Sequence, residues 1–251
     1  MSVTAHGLPE PDPDPFAALL PAGLADVAVD RAHREVHPPD DPPFLASAHA
    51  GLELRVLELV RTEGRLVAQL AGACAEVPLP GAELFVQRGT LTLDGQALGP
   101  GTWLRQPLHG PAATAGIALS SDALLLLSIG QIPPEDAERR QRDTAHASGW
   151  LDGPNEGIEV LPLHGSGAAN VMLMRWNATV AFRPSLDPVG DEVFVLSGEL
   201  HDSHGSFGSG SWIRNPVPAW QSWAGTPGTL VCYKSGHFTA EPDADFARHT
   251  R

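Results

Sequence analysis

Sulfur is scarce in this 251-residue chain, with Cys74 and Cys232 its two cysteines. Two thiols in nearly corresponding regions of the two halves fit a reducing compartment better than a disulfide framework, and each is expected to line its own half of the fold. Positive charge is scarce as well: 16 Lys and Arg stand against 30 Asp and Glu, a formal net charge of −14. Phosphate binding needs a basic surface, so nucleic acid and anionic membranes are excluded as direct partners, leaving small molecules and other protein surfaces. No basic-then-apolar leader opens the sequence and no apolar run approaches the ~18 residues of a membrane span, so the expected location is the cytoplasm. His-Glu-x-x-His, Cys-x-x-Cys and His-x-His are all missing. Gly99-Pro100-Gly101 and Gly208-Ser209-Gly210 read as turns that open no helix, so neither cradles a phosphate or presents a nucleophile elbow.

What the chain has instead is a repeat. Residues 81–107 (GAELFVQRGTLTLDGQALGPGTWLRQP) recur without a gap as residues 190–216 (GDEVFVLSGELHDSHGSFGSGSWIRNP), and 11 of the 27 positions are identical. Upstream, Gly51-Leu52-Glu53 aligns with Gly157-Ile158-Glu159, at an offset of 106 rather than 109. The first copy is therefore three residues shorter in a loop between about Val77 and Gly81, and an indel marks an exposed loop. A unit of about a hundred residues is too long for a solenoid repeat, so each copy is expected to be a small domain with its own core. Short β-branched and aromatic runs such as Glu192 to Leu196, punctuated by Gly198, Gly208 and Pro216, predict antiparallel β-structure, sandwich or barrel.

Glu, a five-residue run, Gly, and then a distant Gly-[ST]-Trp-[LI]-Arg-x-Pro resemble the cupin superfamily, and GDEVFVLSGEL with GSWIRNP is similar in particular to the ChrR-type cupin domain. The resemblance covers roughly residues 45–131 and 150–238. It implies an all-β fold of two tandem jelly-roll barrels, a bicupin arisen by tandem duplication. The expected organisation is an N-terminal extension over 1–44, partly disordered and with a short helix over Pro15 to Leu24; a first barrel over 45–132; a helical linker over 133–149; and a second barrel with its tail over 150–251. ChrR anti-sigma factors also carry an N-terminal zinc domain with His and paired Cys. The N-terminus here has no Cys, so a sigma factor is not an expected partner. Association into a homodimer is expected by analogy.

The resemblance implies a metal site as well, in which His-x-His, a Glu and a later His converge inside the barrel on one divalent ion. Glu192 and Glu83 take the carboxylate position in that alignment, but the imidazole slots fall on Leu186 and Pro188, or on Ser185 and Asp187, and the later slot on Gln221 or Ala112. Three readings of Glu192 follow: a relic carboxylate bonded to Gln221 in an emptied pocket, an oxygen ligand of Mg or Ca together with Asp187 and Gln221, or a solvated residue at a strand start. In the first copy, a shifted loop could bring His109 toward Glu83. His201 and His204 read as a solvated hairpin tip. Trp103 and Trp212 stand at matching positions and read as core. Trp220 and Trp223 bracket Gln221, and with Trp176, Tyr233, Arg183 and Glu192 they outline a candidate small-molecule site in the second barrel. The expected function is small-molecule binding or regulation by a cupin with a degenerate metal site and no cofactor. The alternative is a metal-dependent enzyme holding Zn, Fe or Mn, such as a dioxygenase acting on a small diketone or phenolic substrate.

Overall fold

The computed structural model describes residues 16–72, 76–113, 115–167, 169–182, 190–216 and 222–238. Among them there are strands and turns and no helix. The first eleven strands are β1 (Glu35–His37), β2 (Leu45–Ala46), β3 (Leu52–Val60), β4 (Glu63–Leu70), β5 (Val77–Pro78), β6 (Ala82–Arg88), β7 (Leu91–Leu93), β8 (Gln96–Leu98), β9 (Thr102–Arg105), β10 (Gly116–Leu119) and β11 (Leu124–Ile129). The next eleven are β12 (Arg140–Asp143), β13 (Leu151–Asp152), β14 (Ile158–Ser166), β15 (Ala169–Trp176), β16 (Val180–Phe182), β17 (Asp191–Ser197), β18 (Glu199–Asp202), β19 (Gly205–Gly208), β20 (Trp212–Asn215), β21 (Trp223–Gly225) and β22 (Leu230–Ser235).

Each half is a jelly roll made of one seven-stranded and one four-stranded sheet. The first half has the orders β12-β9-β6-β11-β4-β3-β2 and β5-β10-β7-β8; the second has β1-β20-β17-β22-β15-β14-β13 and β16-β21-β18-β19. The two orders match strand for strand, with one exchange. Strand β1 pairs with β20 of the second half (Glu35 opposite Arg214), and β12 pairs with β9 of the first (Arg140 opposite Arg105).

That exchange accounts for the linker. Its Arg-rich run was expected to form a spacer helix, but residues 140–143 lie along β9 as an edge strand. The exposed backbone groups of β9 need partners, and that need overrides local helix propensity. Of the helix expected over Pro15 to Leu24, the described residues 16–24 form turns instead, because Pro21 has no amide hydrogen to donate and Gly23 sits at φ +70°. Phe16, Leu19 and Leu20 still reach the core of the first half.

Strand alternation divides the side chains into two sets. On β6, Ala82, Leu84 and Val86 enter the core of the first half, while on β17, Val193 and Val195 enter that of the second. Phe85 and Phe194 point the other way, into a third cluster made by Leu57, Val67, Trp103 and Leu126 of the first half with Leu161, Leu173 and Trp212 of the second. The halves thus pack sheet against sheet through an apolar seam. Trp103 and Trp212 belong to this seam rather than to either barrel interior. Cys232 faces it too, instead of lining its own barrel, and Cys74 lies outside the described residues. The glycine that stops each repeated strand, Gly89 and Gly198, has φ +72° in both copies, and a Cβ there would meet backbone of Ala123 or Thr229 within 2.7 Å.

Candidate functional site

The alternation that fills the seam also carries Glu83 and Glu192 into it. The relic and metal-ligand readings put these carboxylates inside their barrels and the third put Glu192 in solvent; both instead are buried and face outward from the barrels, because each shares its strand face with Phe85 or Phe194. A row of polar residues crosses the first large sheet in register, Arg105, Glu83, Ser128, Arg65 and Glu58, and a related row crosses the second, Arg214, Glu192, Lys234, Val171 and His164. The rows neutralise each other. Arg65 Nε donates to Glu192 Oε2 at 3.1 Å, Trp212 Nε1 donates to the same oxygen at 3.0 Å, and Arg214 Nη1 donates to Glu58 Oε1 at 2.7 Å. Arg105 Nη1 donates to Glu83 Oε2 at 3.1 Å, and Lys234 Nζ stands 3.7 Å from Oε1 of the same carboxylate.

Burial sets the ionisation of this row. Taken alone it would raise the Glu83 carboxyl, but Lys234, Arg105 and Arg65 outweigh it and hold Glu83 below its ordinary value. Burial lowers Lys234 to about 8 against the pull of Glu83, raises the Cys232 thiol to about 11, and drives the His237 imidazole well below its ordinary value. His237 is therefore neutral, with Nε2 3.2 Å from Glu192 Oε1. His109, the other residue of the Glu83 alternative, is exposed.

The barrel interiors differ. On β17 it is Asp191, one residue before the anticipated Glu192, that shares a face with Val193 and Val195 and points into the second barrel. Asp191 is fully buried and accepts a hydrogen bond from Asn215 Nδ2 at 2.7 Å. Arg34, just ahead of β1, donates its Nε to Asn215 Oδ1 at 3.2 Å and bonds the buried Asp202 through Nη2. Its guanidinium lies 5.2 Å from the centroid of the Phe207 ring. Burial lowers Arg34 from its ordinary value, with Asp202 and Asp191 opposing that shift. The same positions of the first barrel hold Ala82, Gln106 and Ile129 where the second has Asp191, Asn215 and Ser235.

Of the residues anticipated for a small-molecule site, Trp176, Trp223 and Tyr233 lie together in the core of the second barrel. The Trp176 indole donates to the Val180 carbonyl at 3.1 Å, and Trp223 meets Tyr233 edge-on at 5.8 Å between centroids. Glu192 is separated from them by the sheet. Arg183, Asp187, Trp220 and Gln221 lie outside the described residues. Sequence reasoning passed over Asp191, Asn215 and Arg34. For Asp191 the signal was strand parity, since it shares the phase of Val193 and Val195.

A divalent metal in this barrel would need several neutral imidazoles beside a carboxylate. The described residues do not fit one. Asp191 is bonded to an amide, Asn215 Oδ1 is occupied by Arg34, and a guanidinium already supplies the positive charge at the site. Among the described residues no group of three His, Cys, Asp or Glu side chains could hold a metal ion, and residues 183–189 and 217–221 contain no histidine. Nor, among the described residues, is any helix long and apolar enough to cross a membrane.

Residues 139–239 match the family model of the ChrR cupin-like domain. No curated protein matches the sequence. Among solved structures, a candidate glyoxylate-induced protein from Pseudomonas aeruginosa superimposes with a TM-score of 0.64 at 14% identity, over 89% of this chain and 96% of that one. Ylba from E. coli gives 0.60 at 13% identity, over 87% of this chain and 97% of that one. HEPD from Streptomyces albus, whose structure holds 2-hydroxyethylphosphonate and Fe(II), gives 0.56 at 10% identity, over 91% and 81%. The fold is that of the cupin superfamily.

Proposed function

We propose that this chain is a duplicated cupin that binds a small molecule through its second barrel and acts without a catalytic metal, in a binding or regulatory role. The supporting observation is the asymmetry between the barrel interiors. At equivalent positions the first barrel has Ala82 and Ile129, while the second has Asp191 and Ser235; the amide and the arginine ahead of the edge strand recur in the first barrel as Gln106 and Arg139, so it is the buried Asp191, with the buried Asp202 in place of the exposed Asp94, that sets the second barrel apart. Burying such groups is costly unless they are mutually satisfied, so a polar end to an otherwise apolar barrel is a feature that packing alone does not require. The cluster offers guanidinium and amide donors beside carboxylate acceptors. A zwitterionic or hydroxylated small molecule suits it, and Tyr233, on the same face of β22 as Ser235, joins Trp176 and Trp223 in the adjoining core.

The test combines elemental analysis with ligand screening. Protein made in metal-replete cells should carry well under one equivalent of Fe, Zn or Mn, and a panel of free amino acids and small hydroxy acids should include a compound that raises Tm saturably in the wild type but not in Asp191→Ala. A tightly held full equivalent of one of these metals would overturn the metal-free reading. A compound that stabilises wild type and Asp191→Ala alike would overturn the site.

A further inference from the structure

A cavity lies away from the barrel interiors, at one edge of the seam. It is a cleft of about 260 Å³ whose walls include Phe85 and Trp150, with Leu173, Leu196 and Leu230. No charged side chain lines it. The Trp150 ring is held in place from outside by the Arg175 guanidinium, 4.0 Å from the ring centroid, which in turn donates to Glu159 at 2.8 Å. Gln87 lines this apolar space; its Nε2 is buried beside the cleft with no hydrogen-bond partner, and a turn of the amide about its last bond presents that donor to the cleft. Thr144, the other polar side chain in the lining, already donates to the Gly101 carbonyl.

An unpaired buried amide donor costs about 1–3 kcal/mol, and a seam that needed only packing would be better served by an apolar residue. The repeat itself shows that alternative. The position related to Gln87 is Leu196, which lines the same cleft. We propose that this cleft is a binding site for a small, neutral, planar molecule carrying one hydrogen-bond acceptor, whose ring lies against Phe85 and Trp150 and whose acceptor takes the Gln87 Nε2 hydrogen. The cleft exceeds the ~150 Å³ cavity that suffices for benzene, and a neutral ring with one carbonyl matches a lining with a single spare donor and no charge. The ligand would bridge the two halves, since Phe85 and Gln87 come from β6 while Leu173, Leu196 and Leu230 come from β15, β17 and β22.

Ligand-observed fluorine NMR on the full chain tests this with two probes, 4-fluoroacetophenone and fluorobenzene, the second lacking the acceptor. Both should bind the wild type saturably, the ketone more tightly. Gln87→Leu should weaken the ketone roughly three- to tenfold, the range of one net hydrogen bond, and leave fluorobenzene unchanged. Leu196→Trp, which fills the cleft, should remove both, whereas Asp191→Ala should keep both, separating this site from the one in the second barrel. A wild type that binds neither probe would overturn the proposal. So would ketone binding indifferent to Gln87→Leu in a variant whose Tm shows it folded, or binding lost in Asp191→Ala but kept in Leu196→Trp.

Discussion

Arg65 of the first half reaches across the seam to Glu192 of the second, Nε to Oε2 at 3.1 Å, with both side chains about 95% buried. Two ions removed from water at a contact between repeats compensate each other within a wider charge row, in which Glu83 also supports Arg65 and Trp212 also donates to Glu192. His237, with Nε2 3.2 Å from Glu192 Oε1, is neutral.

Breaking one side of this pair should therefore be costly. Arg65→Met is expected to lower unfolding free energy by about 3–5 kcal/mol, because it strands a buried carboxylate. The double variant Arg65→Met with Glu192→Leu should recover most of that loss, since a packed apolar pair of similar volume is often neutral. Urea unfolding of the two variants and the wild type measures both effects, and a single-variant loss under ~1 kcal/mol would mean that the pair is not truly desolvated.

Stability should fall on the acid side, beginning near neutrality. His237 is neutral in the folded protein and has an ordinary value of 6.5 when unfolded. Its contribution is present above about 6.5 and is lost as pH falls toward its depressed folded value, because only the unfolded chain takes up the proton. Glu83, also held below its ordinary value, adds a loss of the same sign at lower pH, from about 4.5 downward. Calorimetry between pH 8 and 5 should show Tm declining, and His237→Leu should flatten the portion near pH 6.

Lys234 is the only lysine in the chain, which makes its ionisation directly measurable. Burial brings its midpoint from 10.5 to about 8. Heteronuclear NMR on protein labelled at lysine should give one side-chain ammonium signal that titrates near 8, and Glu83→Gln should move it lower by removing the charge that supports it. By linkage, this group favours folding above about 10.5 and loses that contribution as pH falls to 8. A midpoint at 10 or above would show that water reaches the amine.

Gly225 tests the packing of the second barrel. A Cβ there would lie 2.7 Å from the Trp176 ring, which is almost wholly buried. Gly225→Ala should cost about 1–3 kcal/mol by overpacking, read as a lower Tm, whereas Gly208→Ala, with no atom near its would-be Cβ, should change Tm little.

The strands and their punctuation were legible because alternation and glycine act locally. Gly89 and Gly198 end their strands in the same left-handed conformation, which is why the sequence repeats them. The facing of the two glutamates was not read correctly from the motif, although Val193 and Val195 fix the phase of β17 and leave Glu192 on the opposite face. The contribution of Arg34 was out of reach, since it meets Asn215 at a separation of 181 residues. The 133–149 segment misled for a related reason. Its composition favours a polar helix, but the edge of β9 offers its backbone a hydrogen-bonding partner, and no local signal announces a distant edge.

The traded opening strands have a consequence for how the chain can be divided. Cutting it between the sequence copies would leave each fragment holding its neighbour's first strand and missing its own sheet's outermost one. Neither fragment would then be a natural folding unit, and two fragments expressed together should reassemble more readily than either stands alone. A fold that looks like two beads on a string by sequence is mechanically closer to a clasp.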